Sequence, residues 1–156
     1  GTSDPRALHM LPSDYDLKLR SYQVPLIIYG PDRIPKGLVR SDITQLVDLM
    51  PTVCGIAGAP YENRTMGRDL LNDEIPNDAT AFIVNKKMAN QHIAVVGQDY
   101  YLSMQKDGTD IRLHDLRSKE PLLDIQSNYP EITSDYSRRL KGTYETAKYM
   151  LYHNKK

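Results

Sequence analysis

The sequence predicts an α/β fold: an edge strand followed by a capped helix, then a small antiparallel sheet, then a long C-terminal helix. Three observations predict it. The run VPLIIYGP (24–31) is apolar without alternation, which suits a strand covered on both faces. Four short β-prone runs then follow one another at roughly ten-residue spacing, separated by turn residues. Finally, Tyr136, Leu140, Tyr144, Ala147 and Leu151 keep the three-to-four spacing of one buried helical stripe.

Taken in order, Gly1 to Met10 (GTSDPRALHM) has no apolar periodicity and reads as a vector remnant, with residues 11–156 as the natural segment. A competing reading makes Thr2-Ser3-Asp4 the end of a strand that carries a metal-binding aspartate. Leu11 to Gln23 is a lead-in with some order. Val24 to Tyr29 is the first strand, starting just after Pro25, and Gly30 to Gly37 supplies turn chemistry. Leu38 to Ile43 has the composition for a brief further strand.

Asp48 is placed to cap a helix over Leu49 to Ala57 by accepting from backbone N–H groups two or three residues on. Pro51 falls in its first turn, where a missing N–H costs nothing. Leu49, Val53 and Ile56 are expected to share its buried face, and Gly58 to stop it. After a loop, Ala79 to Val84, His92 to Val96, Tyr100 to Met104 and Ile111 to Leu116 form the expected meander, with Lys106 to Gly108 as one turn. The closing helix is expected over Ser134 to His153, capped by Thr133 or Ser134.

Composition removes several function classes. Twenty basic residues balance twenty acidic ones, so no net charge steers the chain to nucleic acid or an anionic membrane surface. The single Cys54 excludes an internal disulfide. No run approaches the roughly 18 apolar residues of a membrane span. The expected fragment is therefore soluble, with no nucleic-acid partner.

Candidate chemistry is sparse. The four histidines, at 9, 92, 114 and 153, include no pair at metal-ligand spacing on one element. Cys54 lies inside the short helix and reads as a small core residue. Gly55, Gly58 and Gly67 fit neither a phosphate loop nor a dinucleotide turn. No nucleophile–base pair stands out, so no catalytic, cofactor-binding or metal residue is assigned.

Four blocks in matching order nevertheless resemble the C-terminal part of the sulfatase/alkaline-phosphatase superfamily. VPLIIYGP (24–31) is similar to the strand after that family's last metal-binding Asp-His pair. SDITQLVDLMPTVCGIAG (41–58) resembles its Asp-x-x-Pro-Thr helix, and MGRDLL (66–71) its Gly-x-(Asp/Ser)-Leu loop. LHDLRSKEPLLDI (113–125) looks like the Leu-Tyr-Asp-Leu…Asp-Pro segment that ends the small C-terminal sheet. Within the superfamily the likeness points to lipoteichoic acid synthases and related phosphoglycerol transferases.

That resemblance implies a C-terminal fragment of an alkaline-phosphatase-like fold, taken from a membrane-anchored parent at the periplasmic or cell-surface face. The parent is expected to use manganese or magnesium to activate a threonine nucleophile on a glycerophospholipid. The nucleophile and first metal ligands have no counterparts here. If Asp4 is the family's aspartate, Pro5 stands where its partner histidine belongs. The chain is thus expected to be structural and inactive alone, to need the upstream catalytic core as partner, and to self-associate through an open strand edge. A sulfatase or phosphoethanolamine transferase parent is one alternative; upstream, a cysteine or serine in a Cys/Ser-x-Pro-x-Arg context means sulfatase and a threonine means transferase. A free-standing, non-catalytic binding module is the other.

Overall fold

Short β-prone runs separated by tight turns pair most cheaply with their immediate neighbours, and the meander does so. The computed structural model describes residues 10–30, 32, 34–58, 60–72, 74–85 and 92–153. Strands β1 (Ala81–Asn85), β2 (His92–Val96), β3 (Tyr100–Gln105) and β4 (Arg112–Asp115) form one antiparallel sheet in the order β1-β2-β3-β4. The hairpin between β3 and β4 is closed by Gln105 N–H donating to the Thr109 carbonyl at 2.8 Å, while the Asp107 carboxylate accepts from Thr109 N–H at 2.9 Å. The vector-remnant reading of residues 1–10, with Asp4, Pro5 and His9, lies outside the described residues except for Met10.

The chain divides into two compact units, one of Gly1–Val24 with Phe82–Lys156 and one of Pro25–Ala81. In the first, the register sets Ile93 opposite Met104, Val95 opposite Leu102, and Leu102 opposite Leu113. Because strand side chains alternate, these five fall on one face, and all are buried there with Leu140 of the long helix. The other face carries Ala94, which packs with Leu19, Ile83 and Leu116. The lead-in segment covers that face. It holds a helical turn, α1 (Pro12–Asp16), and a 3-10 turn at Leu19–Ser21, and Ser13 Oγ donates to the Leu116 carbonyl at 2.8 Å.

The long helix, α3 (Pro130–His153), begins four residues before its expected start. Thr133 is no cap: its hydroxyl donates back to the Tyr129 carbonyl at 2.9 Å inside the first turn. Pro130 opens the helix instead, because its fixed φ suits the first position and its missing N–H is not needed there. Leu140 anchors the stripe, flanked by half-buried Tyr136 and Tyr144. Tyr136 meets Tyr100 edge-on at 6.2 Å, and Phe82 lies 6.5 Å from Tyr144. Leu151, the last member of the predicted stripe, is exposed.

Gly142 sits on the exposed side of α3, and a Cβ built there meets nothing within 4 Å. Gly142→Ala should therefore stabilise the chain by about 0.5–1 kcal/mol, by removing backbone freedom from the unfolded state without a clash. Urea denaturation followed by circular dichroism checks this; an unchanged or lowered midpoint contradicts it.

In the Pro25–Ala81 unit, the expected edge strand is absent. Residues 24–30 form no strand, and Ile27 and Tyr29 are 87% and 89% exposed. The brief strand expected over Leu38 to Ile43 is absent too. A strand needs a partner for its backbone N–H and C=O groups, and the sheet consists of β1–β4 alone among the described residues. Helix α2 (Leu49–Ala57) does span the predicted residues, and Gly58 closes it at φ 66° with its N–H on the Cys54 and Gly55 carbonyls.

Candidate functional site: the Asp48–Thr52 turn and the Gly67–Leu70 loop

The two blocks Asp48-x-x-Pro-Thr52 and Gly67-x-Asp-Leu70 lie far apart in sequence but close into one hydrogen-bonded knot. Asp48 does not cap α2 with its side chain. It occupies the last position of a 3-10 turn, Leu46–Asp48, and its carboxylate reaches backward to accept from Gln45 N–H at 2.8 Å. The other carboxylate oxygen accepts from Arg68 N–H at 2.9 Å, and the Arg68 guanidinium stands 3.8 Å away. A buried carboxylate is thus held by backbone donors from both sides of the knot. The sequence places Asp48 at the right boundary; the 3-10 turn, which winds tighter than α-helix, reverses the direction of its bond.

Thr52 completes the closure. Its buried hydroxyl donates to the Asp48 carbonyl at 2.7 Å and accepts from Leu70 N–H at 3.0 Å. With its proton and a lone pair both committed, this hydroxyl is a structural clasp and not a free nucleophile. Asp69, also buried, accepts from Leu71 N–H at 3.0 Å and from the Asn72 amide at 2.7 Å, which pins the loop's exit.

Two glycines permit the close approach. A Cβ on Gly67 would lie 2.1 Å from the Val47 carbonyl oxygen, and one on Gly55 would lie 1.7 Å from Asp69 Oδ2. The sequence carries a signal for this that composition-based reading passes over: Asp48, Thr52 and Gly55 share one helical face at i, i+4, i+7. That face, which also carries Pro51, is the buried one. Leu49 and Val53, expected inside, are at the surface, and Ile56 is half-buried.

The remaining candidates are dispersed. Cys54 is a half-buried free thiol. His92 Nε2 lies 3.1 Å from the Asp110 carboxylate, which also accepts from Arg112 Nε at 3.0 Å. The His92 imidazole and the Arg112 guanidinium hold the Asp110 carboxyl below the usual carboxylate range. His153 stacks on Tyr149 at 4.2 Å at the end of α3. Among the described residues, no group of three or more His, Cys, Asp or Glu could hold a metal ion. The described residues therefore do not fit the divalent metal implied for the parent.

His114 is the buried member of the set. Its Nδ1 lies 3.2 Å from the Leu123 carbonyl and its ring 5.9 Å from that of Tyr101. Burial lowers its pKa below the ordinary histidine value, against an opposing contribution from the Leu123 carbonyl. The unfolded chain thus takes up a proton, below about pH 6.5, that the folded chain refuses. Stability is full above that pH and falls as the pH drops toward the folded-state pKa, with a slope of up to about 1.4 kcal/mol per pH unit. Urea midpoints at pH 7 and 5.5 should separate for the native chain and move less for His114→Leu; equal shifts reject the assignment.

The chain is 30% identical over 142 residues to arylsulfatase K of Bos taurus, covering 78% of this chain and 25% of that protein. It is 31% identical over 140 residues to arylsulfatase K of Homo sapiens, covering 77% and 25%, and 29% identical to that of Canis lupus familiaris, covering 78% and 26%. The chain is sulfatase-like. It spans about a quarter of the length of the curated relatives it matches. No family model matches it. The crystal structure of Ps i-CgsB is similar in fold, with a TM-score of 0.53 at 17% identity over 72% of this chain and 26% of that one. The sulfatase-like chain is α/β, with a four-stranded antiparallel sheet and a C-terminal helix, consistent with a fragment of an alkaline-phosphatase-like domain.

Proposed function

We propose that this chain is a structural segment of a longer sulfatase-like enzyme, a sulfate-ester hydrolase, and has no turnover by itself. The observation that supports this most is the knot. Its chemistry, a buried carboxylate, a hydroxyl and two close-approach glycines, is spent on closing the backbone, with the Arg68 guanidinium beside the carboxylate, which leaves no free nucleophile or base in it. Likeness to a quarter of arylsulfatase K from three mammals favours sulfate esters over the phosphoglycerol donor implied by the order of the sequence blocks. In this reading the nucleophile and any manganese or magnesium site belong to the upstream core, which is the segment's partner. Membrane anchoring and an extracytoplasmic site of action belong to the phosphoglycerol-transferase alternative; no helix among the described residues is long and apolar enough to cross a membrane.

The test compares two polypeptides, this chain and its longer parent, with nitrophenyl sulfate and with a fluorescent phosphatidylglycerol. The expected result is release of nitrophenol by the longer polypeptide alone. Hydrolysis by the 156-residue chain overturns the structural reading. Phosphoglycerol transfer by the longer polypeptide, without sulfate release, replaces the sulfatase with a transferase. Cleavage of neither substrate by the longer polypeptide would favour the non-catalytic binding module.

A further inference from the structure

Helix α2 is turned inside out. Its buried side is largely polar, Thr52 and Gly55 with Asp48 just ahead of the helix, tied to the Gly67–Leu70 loop, and Pro51 is the apolar residue buried beside them. Its other side runs Met50, Val53 and Ala57, at i, i+3 and i+7, an apolar stripe without a charge that Leu46 of the preceding 3-10 turn extends. That stripe faces water: Leu46 is 79% exposed, Met50 63% and Val53 48%. An amphipathic helix normally buries its apolar side, and exposing one costs about 25 cal/mol per Å² of apolar surface. The knot on the polar side prevents the helix from rotating to hide it, since rotation would break the bonds of Asp48 and Thr52.

We infer that this stripe is a docking surface, and that its occupant is an apolar surface of the longer sulfatase-like polypeptide lying outside this chain. The inference rests on the function proposed above and adds the place of contact. Two observations select that occupant. The relatives are about four times as long as their matched part, which covers 78% of this chain. A stretch of that length within 156 residues necessarily includes α2, so the helix belongs to the shared part. The same unit also leaves Leu26, Ile27 and Tyr29 exposed, so its uncovered apolar surface is not confined to the helix. A stripe without charge selects an apolar partner over an ionic one.

Met50 provides a native probe. Peroxide converts an accessible methionine to its sulfoxide, and the rate is read at each site by mass spectrometry against the same site in the denatured chain. In the 156-residue chain Met50 should oxidise within about threefold of its denatured rate. In the longer polypeptide the same residue should react at least about tenfold more slowly. Equal rates in the two polypeptides overturn the inference. Protection in the short chain that grows with protein concentration overturns it too, by making a second copy the occupant. Nitrophenyl sulfate hydrolysis is scored separately, so a longer polypeptide that protects Met50 but cleaves nothing rejects the enzymatic reading and keeps the docking surface.

Discussion

Gly67→Ala is expected to cost the Pro25–Ala81 unit about 3 kcal/mol or more. The new Cβ would sit 2.1 Å from the Val47 carbonyl oxygen, 2.6 Å from its carbon and 3.0 Å from the Asp48 Cα. All three are backbone atoms, with no rotamer in which to escape. The loop must back away, and the Arg68 N–H bond to the buried Asp48 carboxylate is the first to stretch. A bond to a buried charge is worth about 1.5–3 kcal/mol, and overpacking adds a cost of similar size. Gly55→Ala is the informative comparison. Its Cβ would strike Asp69 Oδ2 at 1.7 Å, but that carboxylate ends a side chain that can rotate away and give up its bonds to Leu71 and Asn72. Gly55→Ala should therefore cost less, about 1–2 kcal/mol. Hydrogen exchange at the Arg68 and Leu70 amides measures both, and a smaller loss of protection in Gly67→Ala than in Gly55→Ala would refute the ranking.

The sheet was legible because its signals are local. Each strand is a short β-prone run between turns, and adjacent runs pair with each other, so the observed strands fall within two residues of the expected ends. The bounds of α2 were equally legible, from Asp48 and Gly58. What sequence reading missed are the properties that depend on a partner. Val24 to Tyr29 has strand composition, but composition supplies no neighbour to bond with. The apolar stripe of α2 predicts burial only if the covering surface belongs to the same chain. The knot was missed because hydrophobic patterning is blind to polar closure: Asp48, Thr52, Gly55 and Gly67 act through hydrogen bonds and the absence of side chains.

The other large effect is expected at Leu102. Leu102→Ala should destabilise the sheet unit by about 3–5 kcal/mol, the upper part of the range for a buried leucine. Leu102 lies on β3, an interior strand, with buried Val95 and Leu113 as its register partners and Leu140 in the same cluster. It has no exposed surface, and a site walled by two strands and a helix cannot collapse onto the space left behind. The predicted stripe of α3 offers the control within one molecule. Leu140 is fully buried and Leu151 is 77% exposed, although the sequence spacing treats them alike. Leu140→Ala should therefore cost about as much as Leu102→Ala, and Leu151→Ala less than about 0.5 kcal/mol. Combined, Leu102→Ala and Leu140→Ala should lose less than the sum of the two, because the second truncation removes methyl groups that already face a void. Guanidinium midpoints of the four variants decide this. Full additivity would mean the two leucines fill separate spaces, and a costly Leu151→Ala would mean that the end of α3 is covered in solution.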